Sequence, residues 1–525
     1  MIFMRSKFIS FIMMYFSIKC TDILKKARLP SAHNHRAYVS PAGTPCVPGG
    51  DPCIGGIARL DTAIKQVLED EPDSLLLNGG DSFQGTIWYN MLTWNVTSYF
   101  MNLLPKHDAH VLGNHEFDHG IEGLIPYLQR LDSVMLGANV NADLEPELNA
   151  LFQNHVIVER KGRKIGIIGV LLRQFSAPMG QVVIEDEVQA VNREAEILTR
   201  QGVDIIVVLS HCGLDCDRSM ASRVSKEVDV IVGGHSHTLL FNGDTPNGDY
   251  AWDSYPVYVT QASGHVIPIV QASAYTRYLG NVKLYINEAG IVVRSEGQPI
   301  FLGSSIVQDP RMLEELKPWS DEVNMFGREV LGRSLVTLSH SCRTGECNMG
   351  SWACDGFLQQ VSINTLLSSN WLMPRSRITG AILMAMPFEN MIQSFDLDGR
   401  HLLETLEFSV SGNVDPDNFS SGRMLQYGGI RVVFNATAPS GSRVESALIR
   451  CIECDVPKYE PIVLDKTYRV VTLSYLGDGG GGYTMLAEHR RDLRVLYKDY
   501  VMLQRWVRYE KNIVQGLDGR VQIVT

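Results

Sequence analysis

The sequence has little of what would assign it to a membrane or nucleic-acid-binding class. Its apolar run near the start, from Phe8 to Ile18, is too short to cross a bilayer, which takes about 20 helical residues. The formal net charge of -11 argues against a nucleic-acid-binding surface, which needs a basic stripe. The chain stops at Val521–Thr525 without a hydrophobic tail, so we expect no lipid or membrane anchor.

Internal repeats, low-complexity stretches and long charge runs are absent as well, so the 525 residues are expected to fold as two or three globular domains. In the first part, apolar strands alternate with amphipathic stretches, which predicts an α/β domain with helices on both faces of a sheet. From about residue 330 the pattern is mixed and richer in turns. Between the two, Leu313, Leu316, Trp319 and Val323 recur at helical spacing and predict a linker helix.

The N-terminus and the cysteines have features of a secreted protein. Arg5 and Lys7 precede the apolar run, as in a signal peptide, which we place at residues 1–20. Ten cysteines fit an oxidising compartment, and zinc is the less favoured alternative because the close pairs lie far from one another. The expected disulfide pairs are Cys46/Cys53, Cys342/Cys347 and Cys451/Cys454, with Cys212/Cys216 as a further local pair. Glycosylation acceptors occur at Asn95, Asn418 and Asn435.

Four of the predicted strands end in side chains that can bind a metal ion. Ligands bind at the carboxyl ends of strands in open α/β sheets, and glycines next to these residues allow sharp turns. The set contains one carboxylate, one amide and several imidazoles, which suits Zn²⁺, Mn²⁺ or Fe rather than Ca²⁺. A single histidine of this kind is more often a core residue, but four strand ends together indicate a metal site. These strand ends carry Asp81, Asn114-His115, His211 and His235-Ser236-His237.

The motifs around these ligands resemble those of the calcineurin-like metallophosphoesterases. More narrowly, the chain is similar to ecto-5′-nucleotidases and the related blood-feeder apyrases, from about residue 50 to its end. The resemblance implies an α/β fold (α+β overall), with a four-layer metallophosphoesterase sandwich followed by a smaller mixed α/β nucleotide-binding domain. The implied boundaries are 32–308 for the first domain, 309–330 for the linker helix and 331–525 for the second domain. The matching motifs are Gly55–Leu60, Gly80–Thr86, Gly113–Asp118, Ser210-His211, Gly234–His237, Cys342–Gly350 and Leu425–Ile430.

By that resemblance, the site holds two divalent ions, zinc or the Mn, Mg or Ca that apyrases use. Asp81 would bridge the ions, while Asn114, His211 and His235 complete one site and His237 belongs to the other. Two such ions activate water near neutral pH and hold a phosphate group for in-line attack. The implied catalytic residues are His115, which stabilises developing charge, and Asp118, which orients its imidazole. Taken alone, Asp118 could equally cap a turn or helix.

The sequence departs from the family at its start. The family's first strand carries an Asp-x-His motif, which is missing here, and the nearest candidate is His33-Asn34-His35. His35 would take the histidine role, with an imidazole where the carboxylate belongs, which weakens the attraction for a second cation. The preceding stretch, 25–30, does not have the pattern of a buried strand. The alternative is that both histidines lie in a disordered N-terminal segment.

The second domain departs from the family as well. Arg343 matches one of the family's arginines that bind polar groups of the nucleotide, and Phe388 and Tyr475 match its two base-stacking aromatics. The segment from Asn370 to Arg375 keeps only the ends of the family's substrate loop, and Gly481 replaces a ribose-binding aspartate. Stacking tolerates Tyr for Phe, so adenine affinity can persist. Without the resemblance, these residues would be interpreted as core aromatics and a surface cation.

Three interpretations follow from this mixture. The first is a working extracellular enzyme that releases phosphate from AMP, ADP or ATP. The second is a nucleotide-binding or scavenging relative that has lost the first metal. The third is an active enzyme for which an error in the gene model has altered the N-terminus and the 350–385 segment. The five intact residues favour an enzyme, and the resemblance is compatible with a homodimer. These five are Asn114, His115, Asp118, His211 and His235.

Overall fold

The computed structural model divides the chain into two compact units, with described residues up to 322 in the first and from 323 in the second. It describes residues 7–14, 53–83, 87–173, 175, 177, 179–287, 291–327, 330–339, 342, 344–361, 365–368, 377–379, 390–412, 423–451, 454, 456 and 458–525. Within these ranges, no helix is both long enough and apolar enough to cross a membrane.

The first unit is built from alternating strands and helices. Its strands are β1 (Lys7–Met14), β2 (Leu75–Asn78), β3 (Ala109–Val111), β4 (Met135–Leu136), β5 (Val140–Asn141), β6 (His155–Arg160), β7 (Arg163–Leu171), β8 (Val183–Ile184), β9 (Ile205–His211), β10 (Val230–Gly233), β11 (Val257–Thr260), β12 (Val266–Val270), β13 (Tyr278–Ile286), β14 (Val292–Glu296) and β15 (Ile300–Phe301). Its helices are α1 (Ile57–Asp70), α2 (Ile87–Leu103), α3 (Gly120–Arg130), α4 (Pro146–Asn149), α5 (Glu187–Arg200) and α6 (Leu214–Ala221). A further helix, α7 (Pro310–Gly327), begins in the first unit and ends in the second, where the sequence predicts a linker helix.

Two sheets form the centre of the first unit. One has the strand order β14–β13–β1–β2–β3–β4, with β15 also paired to β13, and the other has the order β11–β12–β10–β9–β7–β6. Successive side chains of a strand point to opposite faces. Leu75 and Leu77 of β2 therefore join the core shared by both sheets, whereas Leu76 joins a core with α1, α2 and α7. On the second sheet, Leu198 of α5 packs against Gly166 of β7. Helix, sheet, sheet and helix give the four layers that the family resemblance implies.

Strand β1 is formed by part of the first apolar run of the sequence. It lies inside the first sheet, where it pairs parallel with β2 and antiparallel with β13. This strand comes from the apolar run that the sequence predicts to be a signal peptide. Lys7–Met14 is thus hydrogen-bonded on both of its edges in this structure, while the signal peptide at residues 1–20 stays a prediction.

The second unit has a mixed arrangement of strands and helices. Its strands are β16 (Val330–Ser334), β17 (Thr365–Ser368), β18 (Arg377–Thr379), β19 (Met391–Asp398), β20 (Gln426–Gly428), β21 (Ile430–Asn435), β22 (Val444–Arg450), β23 (Tyr459–Pro461), β24 (Thr467–Leu473), β25 (Arg491–Lys498), β26 (Asn512–Ile513) and β27 (Val521–Val524), and its helices are α8 (Asn348–Val361), α9 (Gly399–Ser409), α10 (Ser474–Gly477), α11 (Thr484–His489) and α12 (Asp499–Glu510). The sheets have the orders β20–β17–β24–β19–β25, β23–β22–β21–β27 and β18–β16–β26. Trp352 of α8 is fully buried in a core that α12 shares.

The described cysteines agree with most of the expected pairs. Disulfides join Cys342 to Cys347 and Cys451 to Cys454. Cys53 is disulfide-bonded too, while Cys46 lies outside the described residues. The local pair Cys212/Cys216 is not joined. Cys212 is buried in the core, whereas the Sγ atom of Cys216 contacts Oε1 of Glu187 in α5 at 3.5 Å.

Candidate metal centre and catalytic site

The predicted ligands lie at the carboxyl ends of parallel strands in both sheets of the first unit. Strands β2 and β3 run parallel in the first sheet, and β9 and β10 run parallel in the second. Asp81 follows β2 and Asn114 follows β3, while His211 is the last residue of β9 and His235 follows β10. Because all four strands end on the same side of the sandwich, ligands that are far apart in sequence meet there.

Four of the predicted ligands are brought together. The ligand atoms of Asp81, His211 and His235 all lie within 4.8 Å of one another. Oδ1 of Asn114 lies 3.0 Å from Nδ1 of His235, which adds the amide to the group. Asp81 and His211 are almost completely buried, so water competes little with a bound ion.

The tautomer of His211 shows that this group fits a cation. Its Nδ1 lies 2.6 Å from the carbonyl oxygen of Gly79, which can only accept, so Nδ1 donates and the neutral ring carries its lone pair on Nε2. That Nε2 faces Oδ1 of Asp81 at 3.1 Å. Burial favours a higher pKa for Asp81, but the positive charge of the protonated His211 and His115 rings holds this pKa below its ordinary value. A bound metal cation would take the place of the Nε2 proton of His211. An ionised carboxylate facing an imidazole lone pair is a donor set for a divalent metal.

Three of the histidine and aspartate residues at this site have a strained backbone. Asp81, His235 and His237 have φ angles of +56°, +69° and +57°, in the left-handed region that favours glycine. Such strain persists where surrounding contacts hold it, and it clusters at functional sites. The ring of His237 packs edge-on against Tyr275 with centroids 5.6 Å apart, and His237 is not in the group of ligand atoms described above.

Two glycines allow the ligand loops to approach each other. Gly80 has a φ of +84°, as the sequence-based expectation of a sharp turn requires. Gly113 matters for a different reason, because a Cβ atom there would lie 2.4 Å from both N and Oδ1 of Asp81. A side chain at Gly113 would therefore displace the ligand itself.

The His115–Asp118 pair lies beside the metal ligands. A 3₁₀ turn over His115–Phe117 places the two side chains on one side, with Nδ1 of His115 donating to Oδ2 of Asp118 at 2.7 Å. This bond orients the ring so that Nε2 is the atom that can face a substrate. The backbone N–H of His115 also donates to Oδ1 of Asp81 at 3.0 Å, which ties the pair to the metal ligands.

Two residues that support the site have no role in the sequence analysis. The side chain of Gln271 donates to the carbonyl oxygen of Gly234 at 2.8 Å and accepts from the N–H of Thr238 at 2.5 Å, which braces the loop that carries His235. It directly follows β12, so the strand-end pattern could have identified it. The other is Glu116, whose pKa is raised to about 7 by burial and by the Asp81 carboxylate.

Among the predicted substrate-binding residues, the structure describes Tyr475 in the second unit. The residue is 47% exposed, and its ring lies on Gly480, where an added Cβ would come within 2.6 Å of the ring. Gly481 has a φ of +65°, so the glycine run is needed for this turn. The remaining predicted residues lie outside the described part of the chain; they are His35, Arg343, Asn370, Arg375 and Phe388.

Strand β1 ends beside β2 in the first sheet. Met14, the last residue of β1, is in register with Asn78, the last residue of β2, so both strands end at the edge that carries Asp81. The sequence that follows, Tyr15-Phe16-Ser17-Ile18, contains neither a carboxylate nor an imidazole. Among the described residues, the predicted ligands that lie together are Asp81, Asn114, His211 and His235.

Comparisons with known proteins agree with this arrangement. The model of the calcineurin-like phosphoesterase family matches residues 20–239, and that of the 5′-nucleotidase C-terminal domain matches residues 330–488. An apyrase from Tabanus yao is 41% identical over 495 residues, which is 90% of this chain and 88% of the apyrase. A 5′-nucleotidase from Diplobatis ommata is 35% identical over 498 residues, covering 90% of this chain and 85% of that protein.

A solved structure extends the comparison to the whole fold. The crystal structure of a 5′-nucleotidase precursor from Thermus thermophilus matches with a TM-score of 0.79 at 27% identity, covering 99% of this chain and all of that one (100%). Both domains and the order in which they occur are therefore shared. The chain belongs to the family of 5′-nucleotidases and apyrases, hydrolases that contain a calcineurin-like phosphoesterase domain.

Proposed function

We propose that the protein is a secreted nucleotide phosphohydrolase that releases phosphate from adenine nucleotides. The observation that carries the proposal is the convergence of Asp81, His211 and His235 within 4.8 Å, in a chain that is 41% identical to an apyrase. The His115–Asp118 pair beside this group supports a hydrolytic role, because it provides an oriented proton donor next to a metal.

The metal ligands in this proposal are Asp81, Asn114, His211 and His235. A divalent ion held there, Zn²⁺ or Mn²⁺, supplies a Lewis acid for phosphoryl oxygens and lowers the pKa of its bound water. The hydrogen bond from His211 to Gly79 keeps the imidazole in the ligating tautomer. A second ion would share Asp81 and take its other ligands from His237 and His35.

His115 and Asp118 would act on the phosphoryl group. With Nδ1 bonded to Asp118, the protonated His115 ring presents Nε2–H to the developing charge on a phosphoryl or leaving-group oxygen. The Asp118 carboxylate stabilises the imidazolium form, and the bond from the N–H of His115 to Asp81 keeps the ring at a fixed distance from the ligands.

The second unit would bind the nucleoside part of the substrate. Tyr475, half exposed above the glycine run, has a face on which adenine can stack. In the proposal, Phe388 covers the other face of the base and Arg343 binds phosphate, with Asn370 and Arg375 in the shortened substrate loop. Domain limits of 32–308 and 331–525, joined by the 309–330 linker, belong to the same proposal. The disulfides Cys342–Cys347 and Cys451–Cys454 support an oxidising, extracellular location.

The proposal is tested with the purified full-length chain. Protein stripped with EDTA and reloaded with Zn²⁺ or Mn²⁺ is incubated separately with AMP, ADP and ATP, and released phosphate is measured. Metal-dependent release is expected, and the arm with the highest kcat/KM identifies the preferred substrate. Metal analysis of the same sample counts the ions per chain, so that two support the shared-Asp81 arrangement and one supports the four-ligand site alone. Tight nucleotide binding by calorimetry with no phosphate release would overturn the proposal in favour of a nucleotide-binding relative.

A further inference from the structure

Glu116 is a fully buried carboxylate that joins two ligand loops. It lies in the turn after Asn114, and its side chain reaches the loop that follows β2. Its Oε2 accepts from the N–H of Asp81 at 3.0 Å and from that of Gly113 at 2.8 Å, while its Oε1 accepts from the N–H of Ser82 at 2.5 Å. One side chain thus receives three backbone donors from two loops.

These bonds fix the backbone next to two of the proposed metal ligands, Asp81 and Asn114. The bond to the N–H of Asp81 fixes the peptide on the N-terminal side of a residue whose φ is +56°, a conformation that needs support from its surroundings. The bond from the N–H of Gly113 fixes the peptide between Leu112 and Gly113, one residue before Asn114. Since the N–H of His115 also donates to Oδ1 of Asp81, the backbone and the carboxylate of this ligand are both held by the same turn.

A carboxylate is the group that suits this position. Both of its oxygens accept hydrogen bonds, so three N–H donors can be satisfied at once. A glutamine amide would keep one accepting oxygen and place an NH₂ group against an N–H donor. Aspartate would keep the charge but lacks one methylene of reach.

We propose that Glu116 is a positioning residue that sets the geometry of two metal ligands, Asp81 and Asn114, at the same time. The inference rests on the proposed function in that these two residues are taken as ligands. Glu116 acts on the metal through the backbone of the two loops and has no contact with the substrate in this proposal. Its loss should therefore lower metal affinity and kcat, with a smaller effect on the KM for a nucleotide.

The test compares Glu116→Gln with Glu194→Gln in the full-length protein. Glu194 is a matched control because it is also a buried glutamate of the first unit. It lies on α5, away from the ligand loops, and accepts hydrogen bonds from Asn154 and His155. For each protein, the Zn²⁺ dissociation constant is measured by competition with a chromophoric chelator, Tm is measured in EDTA, and kcat and KM are measured with AMP, ADP and ATP at saturating Zn²⁺.

The expected result is a loss of Zn²⁺ affinity of roughly 10- to 100-fold in Glu116→Gln, the range found when groups that orient metal ligands are removed. Glu194→Gln should keep the Zn²⁺ affinity of the wild type, even if its Tm in EDTA falls as much as that of Glu116→Gln. Equal Zn²⁺ affinity in Glu116→Gln and wild type would overturn the inference, as would an equal loss in both variants. If Glu116→Gln is insoluble, Glu116→Asp is expected to give the same ranking against Glu194→Gln.

The metal measurement separates this inference from the proposed function. If wild-type protein releases no phosphate but Glu116→Gln still weakens Zn²⁺ binding, the proposed function fails and the positioning role stands. If wild-type protein is active and Glu116→Gln binds Zn²⁺ normally with an unchanged kcat, the proposed function stands and the positioning role fails.

Discussion

Nε2 of His211 lies 3.1 Å from Oδ1 of Asp81, although the two residues follow strands of different sheets and are 130 positions apart. The bond from Nδ1 of His211 to the carbonyl oxygen of Gly79 decides which ring nitrogen faces the carboxylate. In the neutral ring, the Nε2 lone pair and the carboxylate oxygen are close enough to bind one cation together, as the proposed function requires.

Replacing Gly113 with alanine should weaken metal binding. The added Cβ would lie 2.4 Å from N and Oδ1 of Asp81 and 2.6 Å from Oε2 of Glu116, all atoms that the fold holds in place. We expect a Zn²⁺ affinity at least about tenfold weaker, with little phosphate release at any metal concentration that the protein tolerates. Gly516→Ala is the control, because no atom lies within 4 Å of a Cβ there. Wild-type Zn²⁺ affinity in Gly113→Ala would contradict the close approach of the two loops.

Replacing His115 with alanine should abolish most of the activity while leaving the metal in place. A positioned proton donor contributes about 10²- to 10⁴-fold to a rate, and kcat is expected to fall by that range. Asp118→Asn should cause a smaller loss of kcat, because the imidazolium form of His115 loses its carboxylate partner but the ring remains. His489→Ala, a histidine of the second unit that stacks on His401, is the control. Metal content by elemental analysis should be equal in all three variants, and an unchanged kcat in His115→Ala would exclude the assigned role.

Replacing Tyr475 with alanine should weaken nucleotide binding. Stacking of a base on an aromatic ring contributes about 1–3 kcal/mol, so the KM for AMP or ATP should rise roughly 5- to 150-fold. Tyr475→Phe should keep the KM of the wild type, because the phenyl face is sufficient for stacking. Tyr509→Ala is a matched control, since this tyrosine is also exposed in the second unit. An equal KM in wild type and Tyr475→Ala would show that the base binds elsewhere.

Stability should fall as the pH rises through the range in which Asp229 titrates. Burial raises the pKa of this carboxyl to about 8, even though it accepts from the N–H of Ile206 at 2.8 Å. The unfolded chain ionises near pH 4, so between pH 4 and 8 the folded state keeps a proton that the unfolded state releases. The free energy of unfolding then decreases by up to about 1.4 kcal/mol per pH unit from this group.

The corresponding measurement is Tm by calorimetry from pH 5 to pH 8. The Tm of Asp229→Asn should rise relative to that of the wild type as the pH rises, because the amide has no proton to release in the unfolded state. Asp204→Asn is the control, since this partly exposed aspartate also accepts from a backbone N–H, that of Lys164, at 2.9 Å. A Tm difference between Asp229→Asn and wild type that stays constant across this range would contradict the raised pKa.

Much of the metal site could be predicted from the sequence, because its signals are local. An apolar strand that runs into glycine and then a ligand occurs at Asp81, Asn114 and His235, and parallel strands bring such ends together. The contacts of the supporting residues could not be found in this way, even though Gln271 itself follows a strand. Glu116 acts on Asp81 across 35 positions and Gln271 acts on Gly234 across 37, and contacts at such separations leave no periodic pattern in the sequence.

The sequence by itself determined the kind of chemistry, because ligand type and the strand-end position are properties of short segments. Only the tertiary structure decided what the first apolar run becomes. The same run of aliphatic and aromatic residues suits the core of a leader peptide and a buried strand equally well. In this structure Lys7–Met14 pairs with β2 on one edge and with β13 on the other, because the backbone of a strand is satisfied only by hydrogen bonds to other segments.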